Sequence, residues 1–265
     1  MEVVKTLITP NIAKAILEKN ISNRNIRKIK IEQYAREMIE GNWKSDTFEF
    51  IKISKSGNLI DGQHRLMAII KANIEIEMQI AYNVPDDVYS VLDTGINRNT
   101  GDVFQITGIK NAKSIPSIIK VWNKFKNESY SRNSVHYLSN IETLDYYNND
   151  DSFWQELYRK SNNWYHSFAK ILSQSMIGGF YAFTIEIDED DAFNFMNQVC
   201  GGVGVKNKTI NLLRNTLIKD KISTRKLPIE VIHIYLLKTW NAYRSGNDLK
   251  ILKWNPENEK YPKAI

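Results

Sequence analysis

Five consecutive residues, Asp61-Gly62-Gln63-His64-Arg65, bring together an acid, a residue without a side chain, an amide, an imidazole and a guanidinium. They follow a short apolar stretch and precede Leu66, Ile69 and Ile70, which share one helical face. A helix N-terminus placed here offers unpaired backbone N–H groups and a partial positive charge, which is what an anion needs. Gly62 lets a phosphate approach the backbone. His64 and Arg65 add donors and charge, and the planar fork of Arg65 suits phosphate oxygens. Asp61 cannot itself attract phosphate. Its roles would be a metal ion, a proton, or a helix cap. The plainer alternative is an Asp-Gly turn with an N-cap, and His64 and Arg65 in solvent.

A second polar run, Asp93 to Asp102, contains Gly95, Arg98, Asn99, Thr100 and Gly101. Two glycines make it conformationally permissive. Arg98 could reach a phosphate, and Asp93 or Asp102 could hold a hard cation such as Mg²⁺. The alternative is a loop between helices in which Asn99 or Thr100 caps the next helix and Asp102 favours its dipole. Asp61, His64 and Asp93 are thus the catalytic candidates, and Asp102 is the metal candidate.

The elements that must position these residues can be read from apolar periodicity. Thr9-Pro10 starts a helix whose face is Ile12, Ala13, Ile16 and Leu17. A second helix spans about residues 25–40, with Gly41 at its end. A strand over 48–53, a turn at Ser56-Gly57-Asn58 and a return strand at Leu59-Ile60 lead into a helix over 63–72. Ile74, Ile76, Met78, Ile80 and Tyr82 alternate with polar or small residues, as in a strand with one buried face. A further helix is expected over 86–92. Beyond Gly101 strand signals become rare. Residues 103–125 read as mostly helical, 127–134 as a loop, and 153–172, 209–218 and 229–243 as helices. Gly178-Gly179 and Gly201-Gly202 punctuate the chain. The expected fold class is α+β, with a mixed domain over 1–107 and a mainly α-helical domain over 108–265.

Gly62-x-His64-Arg65-x-x-Ala68, with Asn23-Arg24, a basic helix and two strands arranged around it, resembles the phosphate-binding motif of the ParB/sulfiredoxin superfamily. The Asp-Gly-Gln-His-Arg spelling is similar to that of phage and plasmid proteins labelled ParB-like nuclease domain. The segment Asp93-x-Gly95-x-x-Arg98-x-x-x-Asp102 and the ending Lys238 to Tyr243 with Trp254 are similar to that group too. The resemblance implies a ParB/sulfiredoxin-like N-terminal domain and a nucleotide, ATP or CTP, held by Asn23, Arg24, Gly62, Gln63, His64, Arg65, Gly95 and Arg98. Gln63 stands where sulfiredoxins carry their catalytic Cys, so reductase chemistry is not implied.

The 265 residues are 42% hydrophobic and 25% charged, values of an ordinary folded protein. The single cysteine, Cys200, excludes an intrachain disulfide framework. No apolar run approaches the length of a membrane span and the start does not read as a signal peptide, so a cytoplasmic location is expected. A net charge of +6 points toward polyanionic partners. Two basic stretches could meet DNA: Arg24, Arg27, Lys28 and Lys30; then Lys206, Lys208, Arg214, Lys219, Lys221, Arg225 and Lys226. Both also read as solvated faces. Asp188 to Asp191 read as a helix start, and Trp122, Trp154, Trp164 and Trp240 as core. Three functions fit: nucleotide binding coupled to action on or near DNA; an NTPase or Mg²⁺-dependent phosphotransferase acting on a small molecule or modified base; or a phage protein that sequesters a nucleotide. The sequence sets no oligomeric state.

Overall fold

The computed structural model describes residues 1–265 except 22, 24, 48, 87–98, 131–135 and 203–204. The chain divides into two compact units, Met1–Asn97 and Arg98–Ile265. The first is a mixed four-stranded sheet with helices and the second is mainly helical, so the fold is α+β. The division expected from the sequence is at 107/108.

The N-terminal unit runs β1 (Glu2–Ile8), α1 (Pro10–Leu17), α2 (Lys28–Ile39), β2 (Ile51–Ser54), β3 (Leu59–Asp61), α3 (Gln63–Ala72) and β4 (Ile76–Val84). The sheet order is β1-β4-β2-β3. β1 lies antiparallel to β4, β2 parallel to β4, and β3 antiparallel to β2. Thr9 caps α1 through its hydroxyl, which accepts from the Ile12 amide, and Pro10 fills the first helical position as expected. α3 keeps the expected limits, because Gly62 before it and Asn73 after it both take left-handed backbone conformations. Its face of Leu66, Ala68 and Ile69 packs with Ala13, Ala35 and Met38 from α1 and α2 and with Ile51, Leu59, Met78 and Ile80 from the sheet. Burying each such aliphatic side chain contributes about 1.5–3 kcal/mol.

β1 was not expected from the sequence. Its pattern is largely exposed because it is an edge strand, and its register is set by pairing Glu2 through Ile8 with Tyr82 through Ile76. The strand expected over 48–53 forms over Ile51–Ser54. The helix expected over 86–92 lies outside the described residues from 87 onward.

The helical unit contains α4 (Thr100–Ile106), α5 (Ile115–Lys126), α6 (Asn140–Asn149), α7 (Asp151–Ser167), α8 (Gln174–Ile185), α9 (Glu189–Gly201), α10 (Lys208–Ile222) and α11 (Ile229–Arg244). The helix expected over 103–125 is two helices, parted at Gly108 and Asn111, where φ is +77° and +59°. Gly178-Gly179 do not interrupt the chain. They lie inside α8, where it crosses α5 so closely that a Cβ on Gly179 would sit 2.5 Å from Val121 Cγ1 and 2.7 Å from the Trp122 amide nitrogen. Trp122, Trp154, Trp164 and Trp240 are all buried in this core, as expected. Asp188 caps α9 by accepting from the Asp191 amide, which places the acidic run at a helix start. Among the described residues no helix is long and apolar enough to cross a membrane.

Candidate functional site

The strand–glycine–helix junction exists as the sequence implied. β3 ends at Asp61, Gly62 turns the chain with φ +112°, and α3 begins at Gln63. A Cβ on Gly62 would meet Ile51 Cγ1 at 3.0 Å, so the glycine answers both a backbone conformation and a close approach to β2. The first backbone bond of the helix runs from the Leu66 amide to the Gly62 carbonyl, 3.0 Å. Gly62, at the cap position, has no side chain to offer, and among the described residues no side-chain cap of α3 is seen.

The motif side chains are directed inward. Arg65 is 6% exposed, and its guanidinium donates to the carbonyls of Glu49 and Phe50 and, at 3.0 Å, to Asp61 Oδ2. Asp61 also faces Lys52, its cross-strand partner on β2, at 3.5 Å, and accepts from the Gly62 amide at 2.7 Å. The fork of Arg65 is thus occupied by three protein acceptors that fix the approach to β2.

His64 Nε2 accepts from the Arg27 amide at 2.9 Å. An accepting Nε2 carries no proton, so the ring is in its neutral Nδ1–H form while that bond holds. Charge at the motif therefore comes from elsewhere than His64. Gln63 accepts from Asn20 Nδ2 at 3.2 Å. Asn23 donates to Asn20 Oδ1 at 2.6 Å and to the Leu59 carbonyl at 2.9 Å, and the Leu59 amide donates to the Lys19 carbonyl. The connection between α1 and α2 is thereby stitched to the edge of β3 and laid over the start of α3. Gly62 through Arg65 are all buried.

The structure brings together Asp61, Gly62, Gln63, His64, Arg65 and Asn23. Sequence reasoning missed Asn20, Lys52, the Arg27 amide and the carbonyls of Glu49 and Phe50. Lys52 alone carried a signal, as the residue paired with Asp61 across the expected hairpin. Arg24, Asp93, Gly95 and Arg98 lie outside the described residues. Asp102 belongs to the helical unit and sits in a capping box: its Oδ2 accepts from the Asn99 amide at 2.8 Å, while Asn99 Oδ1 accepts from the Asp102 amide at 3.1 Å. Among the described residues no group of three His, Cys, Asp or Glu could hold a metal ion.

In the second basic stretch several cations are engaged by the protein, Arg214 internally and Lys208 and Lys226 at the surface. Arg214 donates to the carbonyls of Gln198 and Val199 at the end of α9 and lies over the Phe168 ring. Lys226 holds the carbonyls of Asp220 and Lys221, and Lys208 pairs with Asp248. Lys206, Lys219, Lys221 and Arg225 are exposed. An open cavity of about 520 Å³ at the end of α9 is lined by Asn194, Asn197, Gln198, Gly201, Gly202 and Tyr243.

Comparison of the chain with protein-family models, with curated proteins and with solved structures finds no match.

Proposed function

We propose that the N-terminal unit is a phosphate-binding domain of the ParB/sulfiredoxin type, which takes a nucleoside phosphate, ATP or CTP first, at the start of α3. The observation that carries the reading is Gly62: a left-handed glycine starts a ten-residue helix with no side-chain cap among the described residues, beside the Asn20 amide bonded to Gln63. The positive end of the helix favours an anion. In this reading the motif acts through its backbone. Arg65, His64 and Asn23 are braces that hold the junction and the covering connection in place, and the side-chain donor offered to the ligand is the second N–H of the Asn20 amide, whose first goes to Gln63.

The DNA-directed part of the reading rests on the exposed Lys206, Lys219, Lys221 and Arg225 of the helical unit, which could neutralise backbone phosphates. A Mg²⁺-dependent phosphotransferase is the rival reading, with Asp61 or Asp93 as base.

A thermal-shift panel of ATP, ADP, CTP, GTP and UTP, each with and without Mg²⁺, tests the reading. A ligand that binds only the folded state raises the melting temperature by mass action. One nucleotide should stabilise the wild type and do so less for Asn20→Ala. No response from any of the five would sink the nucleotide reading. γ-Phosphate loss to an added acceptor would favour the rival.

A further inference from the structure

The cavity of about 520 Å³ at the end of α9 is lined by Asn194, Asn197, Gln198, Gly201 and Gly202 of that helix and its cap, and by Tyr243 of α11. Asn194, Asn197, Gln198 and Gly201 stand at i, i+3, i+4 and i+7, so they form one stripe along the helix. The opposite face, with Phe195, Met196, Val199 and Cys200, is fully buried.

Two observations set this stripe apart from an ordinary solvated face. Acids fill the first turn of α9, Glu189 to Asp191, and no charged residue follows before Gly202. Asparagine and glycine are poor helix formers, and an outer helix face is ordinarily filled with better ones. The second observation is the state of the polar groups. Trp164 Nε1 can only donate, and it gives its proton to Asn197 Oδ1 at 2.8 Å, so the amide end of Asn197 is left over. Neither of those N–H groups, nor the Asn194 carboxamide, nor the Tyr243 hydroxyl has a partner among the described residues. Gln198 gives one N–H to the Asn194 carbonyl at 3.5 Å and keeps the other, together with Oε1.

Electrostatics narrows the ligand. A helix C-terminus disfavours an anion. Burial, with the carboxylates of Asp191 and Asp188, pushes the Tyr243 hydroxyl above its ordinary pKa, which marks the same negative surroundings. A cation would be drawn to the last carbonyls of α9, but Arg214 already donates to those of Gln198 and Val199. The ligand that suits the cavity is therefore neutral and rich in groups that both donate and accept. A planar base is best held between two flat walls, and the lining has a single ring, Tyr243. A sugar needs one ring for its carbon face and carboxamides for its hydroxyls.

We infer that the α9–α11 cavity of the helical unit binds a neutral saccharide unit, with Asn194, Asn197 and Gln198 hydrogen-bonded to its hydroxyls and Tyr243 against its carbon face. The inference stands apart from the α3 reading, since it uses no residue of the N-terminal unit.

The test is a titration of the ¹⁵N-labelled full chain with the methyl glycosides of glucose, galactose, mannose and N-acetylglucosamine, and with adenosine and inorganic phosphate at the same concentrations. One glycoside should shift the side-chain amide resonances of Asn194, Asn197 and Gln198 saturably. Asn194→Ala, Gln198→Ala and Tyr243→Phe should each raise its dissociation constant about fivefold, the worth of one neutral hydrogen bond. Gly201→Leu is the blocking variant. A Cβ there meets no protein atom within 4 Å, so the side chain occupies the cavity without disturbing the packing. Binding should be lost while the melting temperature stays no lower than that of wild type. Tighter binding of the matching trisaccharide than of its monomer would identify a glycan chain as the source, and equal binding a free sugar. No shift of these amides with any glycoside, a shift with adenosine or phosphate instead, or undiminished binding to folded Gly201→Leu would overturn the inference. The wild-type titration does not depend on any variant folding.

Discussion

Arg65 reaches back one helical turn to Asp61, Nη2 to Oδ2 at 3.0 Å, with the arginine side chain 8% and the aspartate 17% exposed. The same guanidinium holds the Glu49 and Phe50 carbonyls ahead of β2. An ion pair this well covered does more structural work than a surface pair. Removing one partner leaves the other charge buried. Arg65→Ala should therefore cost about 3 kcal/mol of unfolding free energy, measured by urea denaturation of the full chain. Arg65→Lys should recover little, because an ammonium cannot match the planar fork. A variant as stable as wild type would contradict the bracing role. It follows that lost ligand binding in Arg65→Ala would not locate a ligand, and Asn20→Ala is the better probe, since the Asn20 amide gives only one N–H to the protein.

The α5–α8 crossing gives a contrast between two glycines. A Cβ on Gly179 would lie 2.5 Å from Val121 Cγ1 and 2.7 Å from the Trp122 amide nitrogen, whereas a Cβ on Gly201 meets nothing within 4 Å. Gly179→Ala should destabilise by about 1–3 kcal/mol or more, as overpacking does. Gly201→Ala, at the end of α9, should be neutral or stabilise by up to about 1 kcal/mol. Thermal denaturation of the two variants beside wild type checks both, and equal melting temperatures would refute the close crossing.

His233 provides a pH dependence. It is 1% exposed, packed with the Phe125 ring at 4.9 Å and the Tyr130 ring at 5.5 Å. Nδ1 lies 2.7 Å from the Ile229 carbonyl, which can only accept, so Nδ1 carries the proton; Nε2 has no partner among the described residues. Burial, aided by Lys124, lowers its pKa from 6.5 to about 4, against the opposing pull of the Ile229 carbonyl. Above pH 6.5 both folded and unfolded chains hold the ring neutral, and stability owes nothing to it. Between pH 6.5 and 4 the unfolded chain takes up a proton that the folded chain refuses. Stability then falls as pH falls, by about 3 kcal/mol in all. Denaturant midpoints of wild type and His233→Leu, compared from pH 7.5 to 4, should diverge in that window, wild type losing more. Parallel curves would refute it.

Local signals made α3 legible in the sequence: a left-handed glycine before it, a left-handed asparagine after it, and one apolar face between. The same holds for α1 with its Thr9-Pro10 start. β1 was not legible, because its residues are mostly exposed and its partner β4 lies some seventy positions on. Gly178-Gly179 misled because a glycine pair marks a turn or a close helix crossing, and only the position of Val121 and Trp122 on α5 decides which. At the site, the sequence supplied the motif but not its internal partners. The Arg27 amide that donates to His64 and the carbonyls that accept from Arg65 are backbone groups, which no residue type announces.

The central claim, that a nucleoside phosphate binds at the start of α3, is tested most directly by amide chemical shifts. ¹⁵N-labelled full chain would be titrated with ATP, ADP, CTP, GTP and UTP, with and without Mg²⁺. The account predicts that one of them shifts the backbone amides of Gly62, Gln63, His64 and Arg65 saturably, together with the side-chain amide of Asn20. If no nucleotide moves these resonances, or if a nucleotide binds and moves only others, the α3 assignment is wrong.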